Sequence, residues 1–138
     1  MTGEPRLHLA LPAAPESVSI ARRAVAEEAE KAGMERSAVD DLRTAVSEAC
    51  ANVVLHAYPD QGSDGSLEVE LSSADSEVDV VVRDHGGGMR PRLATRRPSL
   101  RLGLGLIGAL ASTFQLTSVR ERGTEVRIQM PLAGADSR

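Results

Sequence analysis

From Arg6 to Ala10 polar and apolar positions alternate, with Leu7 and Leu9 on one side, until Pro12 and Pro15 interrupt the pattern. That period of two predicts a short first strand. The period then lengthens: Val18, Ala21, Val25, Ala29 and Ala32 recur at helical spacing, Pro15 suits a first helical turn, and Gly33 supplies a left-handed stop. A second helix is predicted from Ser37, because Ser37-x-x-Asp40 resembles a capping box and Val39, Leu42, Val46, Ala49 and Val53 form one apolar stripe that Pro59 ends. Turn-forming residues crowd between Pro59 and Gly65. Leu67, Val69 and Leu71 then alternate with polar residues, Ala74-Asp75 sits in a tight connection, and Val78 to Val82 reads as a buried central strand ending at Asp84.

Residues 85–102 hold three glycines, two prolines and five arginines with no apolar period, which predicts a mobile loop. A short, nearly all-apolar helix is predicted from Gly103 to Ser112, then strands from Phe114 to Arg120 and Thr124 to Met130 joined at Arg122-Gly123, and a fraying tail after Pro131. The order of elements predicts an α+β domain: consecutive hairpins in one mixed, mostly antiparallel sheet, with the helices on one face. Length permits one such domain across residues 1–138, since 138 residues fall within the roughly 100 to 200 typical of a single core.

Composition narrows the function classes. Apolar residues make up 41% of the chain, but Phe114 and Tyr58 are its aromatics and Trp is absent, so the core is aliphatic and rings for stacking bases are scarce. A formal charge of -4 lacks the basic surplus of polyanion binders, which argues against direct nucleic-acid binding. Cys50 alone forms neither an internal disulfide nor a Cys-based zinc cage. The N-terminal residues show no signal pattern and no run approaches the ~18 apolar residues that span a bilayer, so the expected location is cytoplasmic and off the membrane.

Three segments carry candidate chemistry. Glu48, Asn52 and His56 recur every four residues along the second helix, beside its apolar stripe. A carboxylate and an amide one turn apart can hold a hard cation with phosphate oxygens, or the carboxylate can take a proton from an attacking hydroxyl; the plain alternative is a solvated helix face. Asp84-His85-Gly86-Gly87-Gly88-Met89 follows the predicted central strand. An aspartate there can accept a hydrogen bond from an exocyclic amine while glycines let the backbone approach a ligand, or the segment is a turn and nothing more. Gly103-Leu104-Gly105-Leu106-Ile107-Gly108 matches G-x-G-x-x-G, yet Arg96-Arg97-Pro98-Ser99 precedes it where a dinucleotide fold requires a strand. It reads better as a helix start whose free amides meet phosphate, or as glycine-permitted close helix packing.

Together and in this order, Glu48-Ala49-Cys50-Ala51-Asn52 through His56-Ala57-Tyr58, Asp84-x-Gly86-x-Gly88-Met89 and Gly103-Leu104-Gly105-Leu106 resemble the N, G1 and G2 boxes of the GHKL ATPases. The branch they resemble most is the anti-sigma factor serine kinases typified by RsbW and SpoIIAB. The resemblance spans about residues 5–132 and implies a Bergerat-type two-layer α/β sandwich. It implies ATP and Mg²⁺ as ligands, with Asn52 on the metal, Glu48 as general base and Asp84 accepting from the adenine amine. Gly86, Gly88 and Met89 would lie by the base; Gly103, Leu104, Gly105 and Leu106 by the phosphates; and Thr124, after Gly123, near the adenine. Residues 89–102 would form a lid. The implied partners are a sigma factor and a STAS-type anti-anti-sigma protein that is phosphorylated on serine, and the family suggests a homodimer. A non-catalytic, ATP-gated protein-binding module is the alternative, because the boxes report nucleotide binding more directly than phosphoryl transfer.

Overall fold

The computed structural model describes residues 4–57, 65–74, 76–85, 113–119 and 123–132, with the backbone alone for residues 56–57 and 113–119. Five strands, β1 (Glu4–Pro12), β2 (Ser66–Ser73), β3 (Glu77–Asp84), β4 (Thr113–Val119) and β5 (Gly123–Pro131), form one sheet in the order β1-β2-β3-β5-β4. All four pairings are antiparallel. Helices α1 (Pro15–Lys31) and α2 (Arg36–Asn52) pack on each other and on one face of the sheet.

The register explains why that face is dry. Leu11, Leu67 and Asp84 fall in one cross-strand row; Leu9, Val69, Val82 and Val126 in the next; Leu7, Leu71, Val80 and Ile128 in a third. Alternation on each strand therefore sums to a continuous aliphatic surface. Against it α1 sets Ala21, Val25 and Ala29, and α2 sets Val39, Leu42, Val46 and Ala49, all buried. Small residues on α1 let that helix lie close, so aliphatic side chains fill the space that aromatics occupy in other cores.

Local chemistry sets the element ends. Pro15 stands in the first turn of α1, and Ser17, buried, donates its hydroxyl to the Pro12 carbonyl at 2.6 Å, which ties the start of α1 to the end of β1. Gly33 takes φ +102 after α1, while its N–H donates to Glu30 and that of Met34 to Ala29, a Schellman closure covered by buried Met34. The expected capping box fails: α2 begins at Arg36, one residue before Ser37, with Glu35 at the cap position and no side-chain capping bond. Nor does α2 run uniformly to Pro59. At Val53 the winding changes to a π-helical segment, Val53–Ala57. The loop, helix and tail expected at 86–112 and beyond Leu132 lie outside the described residues.

Candidate active site

The C-terminal end of β3 abuts the start of β5, since the register that pairs Arg83 with Glu125 brings Asp84 beside Thr124. Both are buried, Asp84 at 1% exposure and Thr124 at 3%. The Thr124 backbone N–H donates to Asp84 Oδ1 at 3.2 Å across forty residues of sequence. A charged acceptor in a dry place requires such a donor, and this one fixes the direction in which the carboxylate points.

Gly123 makes the approach feasible. Its φ is +103, and a Cβ on it would stand 2.0 Å from the Asp84 backbone oxygen. Any side chain would push β5 away from β3 at the very residue whose neighbour holds Asp84. Sequence reasoning assigned this glycine to a turn; its steric role could be found only from the strand pairing.

On the helical layer, Glu48 is half-buried and Asn52 is 5% exposed, at the last residue of α2. Four residues apart on a regular helix, the two side chains leave the same face about 6 Å apart along the axis. Asn52 Nδ2 is buried and has no hydrogen-bond partner among the described residues. That is a costly state for an amide, and a phosphate oxygen or a metal-bound water would satisfy it, while Oδ1 is the kind of hard donor that Mg²⁺ takes. The residues present therefore fit a Mg²⁺–phosphate group. The π-helical segment begins at the very next residue, Val53, a winding that recurs at functional sites. His56 belongs to it, so the regular four-residue progression from Glu48 ends at Asn52.

Cys50, one turn from Val46 on the buried stripe of α2, is enclosed, and burial pushes its thiol up to about 12. It stays a thiol at neutral pH and serves as core. Of the residues expected in the site, Glu48, Asn52, Asp84 and Thr124 occupy the described structure; Gly86, Gly88, Met89, Gly103, Leu104, Gly105 and Leu106 lie outside it.

Comparison with known proteins returns one consistent grouping. The family model described as histidine kinase-like ATPase domain matches residues 11–130. The serine-protein kinase RsbW of Bacillus pumilus is 37% identical over 82 residues, 59% of this chain and 51% of that protein. An anti-sigma F factor of Clostridium botulinum is 36% identical over 103 residues, 66% of this chain and 69% of that protein. The chain thus spans about half the length of the RsbW relative and about two thirds of the other. Among solved structures, the RsbU and RsbW domains of a Mycobacterium tuberculosis protein superpose with a TM-score of 0.71 at 25% identity, covering 91% of this chain and 32% of that one. The histidine kinase domain of an Erythrobacter litoralis blue-light activated kinase shares the fold, with a TM-score of 0.60 at 19% identity. No helix among the described residues is long and apolar enough to cross a membrane.

Proposed function

This chain belongs to the histidine kinase-like ATPase family, and on that premise we propose that it is an ATP-dependent anti-sigma factor kinase that phosphorylates a protein antagonist on serine and sequesters a sigma factor. The observation that carries the reading is the pairing of a buried, amide-held Asp84 with a buried Asn52 whose Nδ2 has no partner among the described residues. The first is suited to an exocyclic amine and the second to phosphate with its cation. Relatives named as RsbW kinase and anti-sigma F factor support the same reading.

In this scheme Asp84 orients the adenine, with Oδ1 held by the Thr124 amide. Asn52 would hold Mg²⁺ through Oδ1, and the cation would offset the charge of the phosphates. Glu48, one turn earlier on α2, accepts the proton of the partner's serine hydroxyl as its oxygen bonds to the γ-phosphorus and the bond to ADP breaks. If residues 89–102 close over ATP as a lid, an arginine among them would be a charge-matched donor to the phosphates, the rest serving solvation. The partner phosphorylated is a STAS-type anti-anti-sigma protein, the protein acts in the cytoplasm, and a homodimer is its expected assembly.

Transfer of labelled phosphate from ATP to candidate antagonist proteins tests the proposal. Glu48→Ala should keep ATP affinity within a few-fold and slow transfer by about 10² to 10⁴, toward the low end if proton removal is late. Asn52→Ala should lose both binding and transfer. Equal loss of binding in the two variants would make Glu48 a metal-site or structural residue. Wild-type protein that transfers nothing yet binds its partner more tightly with ATP would establish the non-catalytic, ATP-gated module instead.

A further inference from the structure

The face of the sheet turned away from the helices gathers two of the chain's three histidines on one carboxylate. β2 lies between β1 and β3, and Glu68 on β2 is approached from both sides. His8 on β1 brings Nε2 to 2.5 Å from Glu68 Oε2 and 3.6 Å from Glu70 Oε2. His85, directly after β3, brings Nε2 to 3.0 Å from Glu68 Oε1. The ligand atoms of His8, Glu68 and Glu70 all lie within 4.8 Å of one another.

We propose that His8, Glu68 and Glu70 form a site for a divalent first-row transition metal, with Zn²⁺ as the representative ion and His85 steadying Glu68 through its other oxygen. An imidazole beside two carboxylates suits zinc, copper or nickel, whereas magnesium and calcium take oxygen donors alone. Tetrahedral zinc with ligands at ~2.1 Å needs donor atoms about 3.4 Å apart, close to the spacings of His8 from Glu68 and Glu70, with water completing the shell. The His8 imidazole is more than half exposed, so a small rotation adjusts the geometry without disturbing the core.

Arg83 is the competing cation. Its Nη1 lies 3.2 Å from Glu68 Oε1 and 3.4 Å from Glu70 Oε2, while its Nε donates to Glu125 at 3.2 Å. On Glu68 the metal would take Oε2 while Arg83 takes Oε1, whereas Oε2 of Glu70 faces both His8 and Arg83 and is contested. Their repulsion lowers metal affinity, and Glu125 gives Arg83 a place to remain. A metal here would tie β1 to β2, and His85, the residue after Asp84, joins Glu68 to the end of β3. The inference rests on the outer face and is independent of the nucleotide reading.

Zinc competed against a chromophoric chelator, with untagged, nucleotide-free full chain, tests it. Wild type should take up one equivalent. His8→Ala and His85→Ala should each weaken binding at least tenfold, the scale of losing a ligand or its support. Arg83→Gln should tighten binding severalfold by removing the competing charge, and His56→Ala should leave it unchanged. Zinc should also shift the ring resonances of His8 and His85 together. Uptake unchanged within twofold in His8→Ala and His85→Ala, no equivalent bound by wild type, or ring shifts confined to His56 would each overturn the proposal.

Discussion

The two faces of the same sheet obey different physics. Toward the helices, β2, β3 and β5 present Leu67, Val69, Leu71, Val80, Val82, Val126 and Ile128, all buried and aliphatic. On the other face the intervening positions carry Glu68, Glu70, Asp79, Arg83, Glu125 and Arg127 around a buried Val81, joined in a ladder of ion pairs: Arg83 with Glu68, Glu70 and Glu125, and Arg127 with Asp79 at 2.8 Å. Burial of aliphatic area is non-directional and worth ~25 cal/mol per Å², whereas an exposed ion pair contributes about 0 to 1 kcal/mol and weakens with salt. The inner face therefore holds the fold together, while the ion pairs of the outer face contribute little to it. Asp84 belongs to the inner face by register, which is why a charged residue there requires the Thr124 amide.

The strongest break in this contrast should come from the inner face. Leu42 on α2 is fully buried against the sheet, and Leu42→Ala should cost ~2 to 5 kcal/mol in urea unfolding. A loss under ~1 kcal/mol would mean that the helices collapse onto the cavity, and the division of labour between faces would weaken.

At the seam where the site is built, Gly123→Ala should come next. The positive φ alone costs ~1 to 2 kcal/mol, and the Cβ clash with the Asp84 carbonyl adds to it. A lower melting temperature together with weaker ATP binding in calorimetry is the expected pair of results. A variant as stable as wild type would show that the start of β5 can shift away from Asp84, and the proposed rigidity of that carboxylate would go with it.

The smallest effect is expected outside. The hydrogen bond from His8, followed by those from His85 and Arg83, holds the Glu68 carboxyl down to about 2, against partial desolvation that pushes it up. An unfolded glutamate titrates near ~4.3, so this contribution is complete above that pH and is lost as the pH falls from there toward about 2. Glu68→Gln should flatten the acid limb of stability in that window, by under ~1 kcal/mol because the histidine partners are solvent-exposed. Acid titration of both proteins by circular dichroism checks it; identical profiles would mean that the ladder contributes nothing to folding.

Much of the architecture was legible as periodicity. Alternation at Leu7 and Leu9, at Leu67 to Leu71 and at Val126 to Met130, and the helical spacing of Val39 to Ala49, survive in the structure because burial imposes the same period on any strand or helix with one dry face. Element ends were less legible. Ser37 has the right residue type for a cap, but the chain enters α2 earlier, and nothing local in Val53-Val54-Leu55 announces a π-helical winding. The outer-face cluster went unread for a different reason. His8, Glu68 and Glu70 look like ordinary polar positions of two separate strands and His85 like the start of a loop, and their convergence depends on which strands are neighbours.

The sequence by itself determined the period of each element, the aliphatic core, the left-handed stop at Gly33 and the residue types of the candidate site. Tertiary structure alone decided the order β1-β2-β3-β5-β4, the hydrogen bond from Thr124 to Asp84, the need for glycine at 123 and the meeting of His8 and His85 at Glu68. Periodicity is a property of neighbours along the chain, which side-chain burial reads directly. Strand order and register are properties of residues forty or sixty positions apart, set by how the whole dry surface closes on α1 and α2.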